Sequence, residues 1–312
     1  MPRTTNLEGT AAVDSPHDLV RVLRSPTTAQ PVMLHSLTGF LDAGSAGRLA
    51  ISTLLSELPN TEIATFDLDT LFDYRARRPR MTFLSDHYGE IEMPTLSVHE
   101  VTDSAGRGFL VLHGPEPDFR WGAFAADVVW LALELDISLF LGVHAVPWPA
   151  PHTRPVNVTA HSNDPALISD RRRFIGDLEV PAHVAGLLEL RMNDAEVPSM
   201  GFAAHVPHYL AGAEYPRAAV ALLEAVSAQT GLLLPLAALR QQAEESDADI
   251  ALQVASEAEN LQAVMMLEQQ YDDFMLNAAA EELASEDLPD GDDIAAQVEE
   301  FLAERDHREG QG

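Results

Sequence analysis

A short apolar run that breaks into a glycine-bearing turn and then a helix is the feature that most limits what this chain can fold into. Val32-Met33-Leu34-His35-Ser36-Leu37 supplies the run and Thr38-Gly39-Phe40-Leu41-Asp42-Ala43-Gly44 the turn. A helical pattern follows from Arg48 to Leu58, so the segment reads as the first half of a βαβ unit. Glu62 to Asp67 reads as the next strand, and the two strands are expected to run parallel. In such units the turn lies at the carboxyl end of the strand, where open α/β sheets place their ligand crevice.

The rest of the chain repeats this alternation. Phe109–His113 and Ile137–His144 are continuous apolar runs, the mark of central strands buried on both faces, with a helical pattern from Trp121 to Leu135 between them. Pro198 to Val206 reads as a further strand. It lies between a helix starting at Pro181 and another running from Arg217 to Thr230, which Gly231 closes. Thr82–Leu84 and Thr95–Glu100 flank Tyr88-Gly89-Glu90, as edge strands or a hairpin would flank a turn. Asp247 to Leu283 reads as one long acidic helix, and Asp292 to Arg305 as a last short one after Pro289-Asp290-Gly291. The expected layout is a loose N-terminal segment over residues 1–28, an α/β domain over 29–240 and an acidic helical extension over 241–312.

The opening turn approaches a phosphate motif and departs from it. Gly39 and Gly44 have the spacing of the P-loop glycines, but Ser45 and Ala46 stand where the lysine and the metal-binding hydroxyl belong. No glycine two residues before Gly44 completes a dinucleotide fingerprint, and Asp42 puts a negative charge where an anion would sit. A packing turn, with Asp42 or Ser45 capping free N–H groups, accounts for the pattern better.

Composition narrows the chemistry further. All 19 basic residues are arginine, which excludes Schiff-base lysines and lysine-dependent ATP sites, including that of an ATP-grasp ligase. There is no cysteine, hence no disulfide, thiol nucleophile or thiolate metal site. The net charge is −30, and residues 241–312 carry 21 carboxylates against Arg305 and Arg308. Such acidity argues against nucleic acid or an anionic membrane as a partner and leaves a protein partner open. With no apolar run near ~20 residues and no apolar leader, the expectation is a cytoplasmic protein.

Two other stretches carry chemistry-bearing residues. Ala145 to Pro155 is a proline-stiffened loop ending in Thr153-Arg154, placed to hold a hydroxyl and a guanidinium over the crevice or to pair Arg154 with Glu116 or Asp42. Asp73 stands beside Arg75, Arg77, Arg78 and Arg80, the densest cationic patch, read as a surface ion-pair cluster, a crevice rim or a subunit contact. His152 and His161, and likewise His205 and His208, lack the spacing of a metal site; core or capping roles suit the latter pair better. No metal and no cofactor is expected.

In order and spacing, Gly39–Gly44, Gly114-Pro115-Glu116-Pro117, Thr153-Arg154-Pro155 and His205–Leu210 resemble the proteasome-assembly-chaperone family, in its actinobacterial branch. The resemblance spans roughly Pro31 to Arg240. It implies a three-layer α/β/α sandwich with a largely parallel mixed sheet, of the phosphorylase/hydrolase-like kind. It also implies homo-oligomers, a trimer favoured, and a proteasome-related protein as candidate partner. Archaeal relatives that dock on the proteasome end in a hydrophobic-tyrosine motif, whereas this chain ends Gly310-Gln311-Gly312. The expected function is a non-enzymatic, assembly-chaperone-like scaffold. The alternative is a phosphorylase-like or hydrolase-like enzyme binding a small anionic or nucleoside ligand with Gly39, Asp42, Gly44, Glu116, Thr153 and Arg154.

Overall fold

The computed structural model describes residues 18–168 and 179–286, which fall into two compact units that divide after Ser256. The Arg171–Arg173 run, the start of the chain, and the break and short helix read beyond Glu286 lie outside the described residues.

The first unit is built on an eight-stranded mixed sheet. Its strands are β1 (Val20–Val22), β2 (Val32–Thr38), β3 (Asn60–Phe66), β6 (Ser97–Thr102), β7 (Gly108–Pro115), β8 (Leu139–Trp148), β9 (Val158–Ser162) and β10 (Ser199–Pro207). A separate hairpin is made by β4 (Arg80–Leu84) and β5 (His87–Glu92). The spatial order is β1-β3-β6-β7-β2-β8-β10-β9. The strands read at Val32–Leu37, Phe109–His113, Ile137–His144 and Pro198–Val206 form its parallel centre, β7-β2-β8-β10, with antiparallel strands completing both sides.

Alternation along each strand divides the core between the two faces. Leu34, Val111, Leu141, Val143, Phe202 and Ala204 pack under α1 (Ala46–Glu57) and α5 (Pro216–Thr230). Met33, Leu37, Leu110, Leu112 and Phe140 pack under α3 (Trp121–Glu134) and α4 (Val184–Asp194). A one-residue slip in any central strand would exchange these two sets, so burial on both sides pins the register. The result is the three-layer α/β/α sandwich with a helical C-terminal part. The short α2 (Leu68–Leu71) follows β3, α6 (Ala237–Ala255) packs on α5, and α7 (Ala258–Glu286) belongs to the second unit.

Three local expectations change. β3 runs in the same direction as β2 but is not its neighbour, because β6 and β7 lie between them. The hairpin turn is Ser85-Asp86, with Ser85 at φ +56, and Tyr88-Gly89-Glu90 is strand. Gly89 suggested the turn, yet it has no positive φ, and Ser85 takes the left-handed conformation instead. The long acidic helix is two helices, α6 and α7, interrupted at Ser256-Glu257.

Candidate functional site

The sheet has a switch point between its two most central connections. β2 leads into α1 on one face, while β7 leads into α3 on the other, and β2 and β7 are adjacent. Strand ends that diverge in this way open the crevice where α/β folds bind ligands. Here the crevice is filled from within by Glu116, the first residue past β7.

Glu116 is engaged by backbone on two sides. Its Oε2 accepts the Phe40 N–H at 3.1 Å, its Oε1 accepts the Val184 N–H at 2.7 Å, and its own N–H donates to the Thr38 carbonyl at 2.9 Å. Val184 is the first residue of α4, so the carboxylate sits where the helix N-terminus attracts negative charge. Gly39 makes this seating possible, since a Cβ there would collide with the Glu116 carboxylate. Gly39 and Glu116 are therefore brought together, as partners in closing the crevice.

Asp42 and Gly44 shape the exit to α1. Asp42 Oδ1 accepts the Gly47 N–H at 2.7 Å and Oδ2 the Arg48 N–H at 3.1 Å, so its charge satisfies free donors at the start of the helix. Burial pushes the Asp42 carboxyl above the usual range, against the opposing pull of those two N–H groups and of Arg48. Gly44 has φ +65 and leaves no room for a side chain against Tyr215 and Val206. Its N–H reaches the Ala211 carbonyl at 2.9 Å and its carbonyl takes the Tyr215 N–H at 2.8 Å, stitching the turn to the start of α5.

Thr153 and Arg154 lie elsewhere on the rim. Their loop passes over the end of β10, where the His152 ring and N–H both meet the Tyr209 hydroxyl at 2.8 Å and the His205 N–H reaches the Asn157 carbonyl at 2.9 Å. β7 and β10 are three strand spacings apart, about 14 Å. Thr153 is exposed and Arg154 half-buried, its N–H directed at the Pro151 carbonyl.

Behind Glu116 lies a group of histidines on the α4 face of the sheet. His35 on β2, His144 on β8, Glu116 and His183 at the cap of α4 line a cavity of about 20 Å³, room for one water molecule. His35 stacks on Phe140 at 4.3 Å, and Gly142 makes the space, because a Cβ there would come 2.7 Å from His35 Nε2. The His144 ring is 5.3 Å from His161 and 6.3 Å from His183, and His161 Nδ1 meets Glu189 of α4 at 2.8 Å. Burial, reinforced by neighbouring imidazoles, lowers His35 to about 3 and holds His144 well below its ordinary value. Burial lowers His183 as well, against Glu116 and Glu189. His35 Nδ1 and His161 Nε2 are buried without a hydrogen-bond partner. Among the described residues no group of histidines and carboxylates has the geometry to hold a metal ion.

Sequence reasoning missed this group, although a signal existed. His35 shares the parity of Met33 and Leu37, and His144 that of Phe140, so parallel pairing of β2 with β8 places both imidazoles on one face.

The cationic patch also resolves into parts. Arg77 donates to the Glu116 carbonyl at 2.7 Å and to Asp118 at 2.6 Å, and its guanidinium covers the Phe72 ring at 4.2 Å. It fastens the base of the β4–β5 hairpin to the turn after β7. Beyond it the hairpin is exposed along its whole length, with Met81 opposite Ile91 and Phe83 opposite Tyr88. Phe83 is 60% exposed and Tyr88 72%.

The PAC2 family model matches residues 36–254, the fold core from β2 through α6. The chain belongs to the PAC2 family. A Mycobacterium tuberculosis protein of unknown function, Rv2714, is 42% identical over 86% of this chain and 95% of its own, with a TM-score of 0.81. A Corynebacterium glutamicum protein of unknown function is 34% identical over 81% of this chain and 97% of its own, with a TM-score of 0.78. The Mycobacterium tuberculosis proteasome-assembly chaperone homologue Rv2125 is 26% identical over 75% of this chain and 99% of its own, with a TM-score of 0.68. No curated protein matches the chain. The resemblance carried by the Gly39–Gly44 turn and its companion motifs is thus to the family found. Among the described residues no helix of this PAC2 member is long and apolar enough to cross a membrane.

Proposed function

We propose that this protein is a non-enzymatic, assembly-chaperone-like scaffold that acts as a homo-oligomer, its subunits joined through the β4–β5 hairpin. The observation that carries the reading is that hairpin. A two-stranded ribbon with both faces in water is marginal on its own, and this one exposes Met81, Phe83, Leu84, Tyr88 and Ile91 together. Further copies offer the same ribbon, and ribbons gathered about a threefold axis would cover one another's apolar side chains in a closed ring. Arg75, Arg78 and Arg80, exposed at its base, give the contact a charged rim.

Support for binding rather than catalysis comes from the strand ends. The Glu116 and Asp42 carboxylates, the candidate bases of an enzyme, are held by backbone N–H groups in structural roles. Membership in the PAC2 family, and likeness to a proteasome-assembly chaperone homologue, make a proteasome-related protein the candidate partner.

Light scattering on the full chain tests the reading. The expected mass is three times the 33.9 kDa of one chain, falling to one chain in a Phe83→Asp, Ile91→Asp double variant that keeps its native circular dichroism. A wild type that stays monomeric at tens of micromolar, or a variant that stays oligomeric, overturns the hairpin contact. Retention of proteasome core subunits by immobilised wild type tests the partner separately, and no retention removes the proteasome from the reading without touching the oligomer.

A further inference from the structure

We propose that α4 is a pH-released latch, held on the sheet while the His183 ring is neutral and loosened in its first turns when that ring gains a proton. The geometry fixes the tautomer that matters. His183 is the N-cap residue of α4, and its Nδ1 accepts the Gly186 N–H at 3.1 Å. A protonated ring carries a hydrogen on that nitrogen and cannot accept, so the cap is lost and a cation is left at the positive end of the helix.

The surroundings make protonation consequential. Around His183 stand Glu116 from the end of β7, His144 from β8, His161 from β9, His35 from β2 and Glu189 from its own helix. Glu116 Oε1 already holds the Val184 N–H, and the imidazoles behind it are kept neutral by burial. Of the other elements against α4, α3 carries Asp127, taken up by the Leu19 N–H, and Glu134 in its last turn. β10 carries His205, stacked on Trp148. His161 of β9 meets Glu189 at 2.8 Å, so the second half of the helix keeps a tether that does not involve the His183 cap. What loosens is the first turns, whose Val184 and Leu188 cover the sheet beside the histidines.

Hydrogen exchange of the full chain between pH 7.5 and 5, expressed as protection factors, tests the latch. The Gly186–Leu190 amides should lose about tenfold protection relative to α5, the effect of losing one cap. His183→Asn, which caps without titrating, should flatten that loss, whereas His208→Asn on the exposed turn after β10 should leave it unchanged. A wild-type α4 that follows α5 at every pH overturns the proposal. So does a His183→Asn chain with the same pH dependence as wild type.

Discussion

The switch-point crevice and the β4–β5 hairpin treat their surfaces in opposite ways. In the crevice the polar groups are turned inward and mostly paired: Glu116 closes the gap between β2 and β7, Asp42 caps α1, and His183 caps α4. On the hairpin the apolar groups are turned outward and left uncovered. A carboxylate that already accepts two backbone N–H groups gains little from a ligand, whereas exposed apolar area gains free energy from any surface that covers it. The contrast teaches that the strand-end carboxylates are engaged in holding the fold together, and that the uncovered apolar surface of the ribbon is what the oligomer proposed above would bury.

Perturbing the crevice should therefore cost folding free energy, and perturbing the hairpin should not. The largest effect is expected from acid. His35 is lowered in the folded state to about 3, so the unfolded chain takes up its proton first as pH falls below 6.5. Its contribution is intact above that value and is lost on the way down, about 2 kcal/mol at pH 5, with His144 adding in the same direction. Urea midpoints at pH 7.5 and 5 check this, and an unchanged midpoint would mean that the histidines are not held neutral. Next in size, Glu116→Ala leaves the part-buried Val184 N–H and the exposed Phe40 N–H without their acceptor and should cost about 1–2 kcal/mol in the same assay. Asp42→Ala, removing a cap from α1, should cost about 1 kcal/mol. Smallest of all, Phe83→Ser should shift the stability of the isolated chain by less than about 0.5 kcal/mol, because its ring is already in water. A large loss there, measured under dissociating dilution, would break the contrast.

Much of this architecture was legible in the residues. Apolar runs mark β2, β7 and β8 because burial on both faces removes the polar alternation, and β10 was read as a strand of the same sheet. Gly231 in the left-handed region ends α5 where the sequence suggests. What a single chain does not display is adjacency. The insertion of β6 and β7 between β2 and β3 depends on which edges pair, and no local pattern encodes that. The same limit hid the site. Gly39 and Glu116 were both visible as crevice residues, but their mutual contact is a cross-strand fact, as is the gathering of His35, His144, His161 and His183 from four separate elements. The Arg75–Arg80 patch drew attention by density alone, and only the packing separates Arg77, a fastener, from its exposed neighbours.

The contrast comes down to whether the hairpin is covered in solution, and a chain without cysteine allows that to be read cleanly. Met81 on the hairpin and Leu133 on α3 have nearly equal exposure in the single chain, 51% and 55%. Each is replaced by cysteine in a separate variant, and the rate of maleimide labelling is measured on the native protein at tens of micromolar. Met81→Cys should react about tenfold more slowly than Leu133→Cys, since the middle of an interface excludes water and reagent alike. Equal rates, or faster labelling at Met81→Cys, would contradict the account.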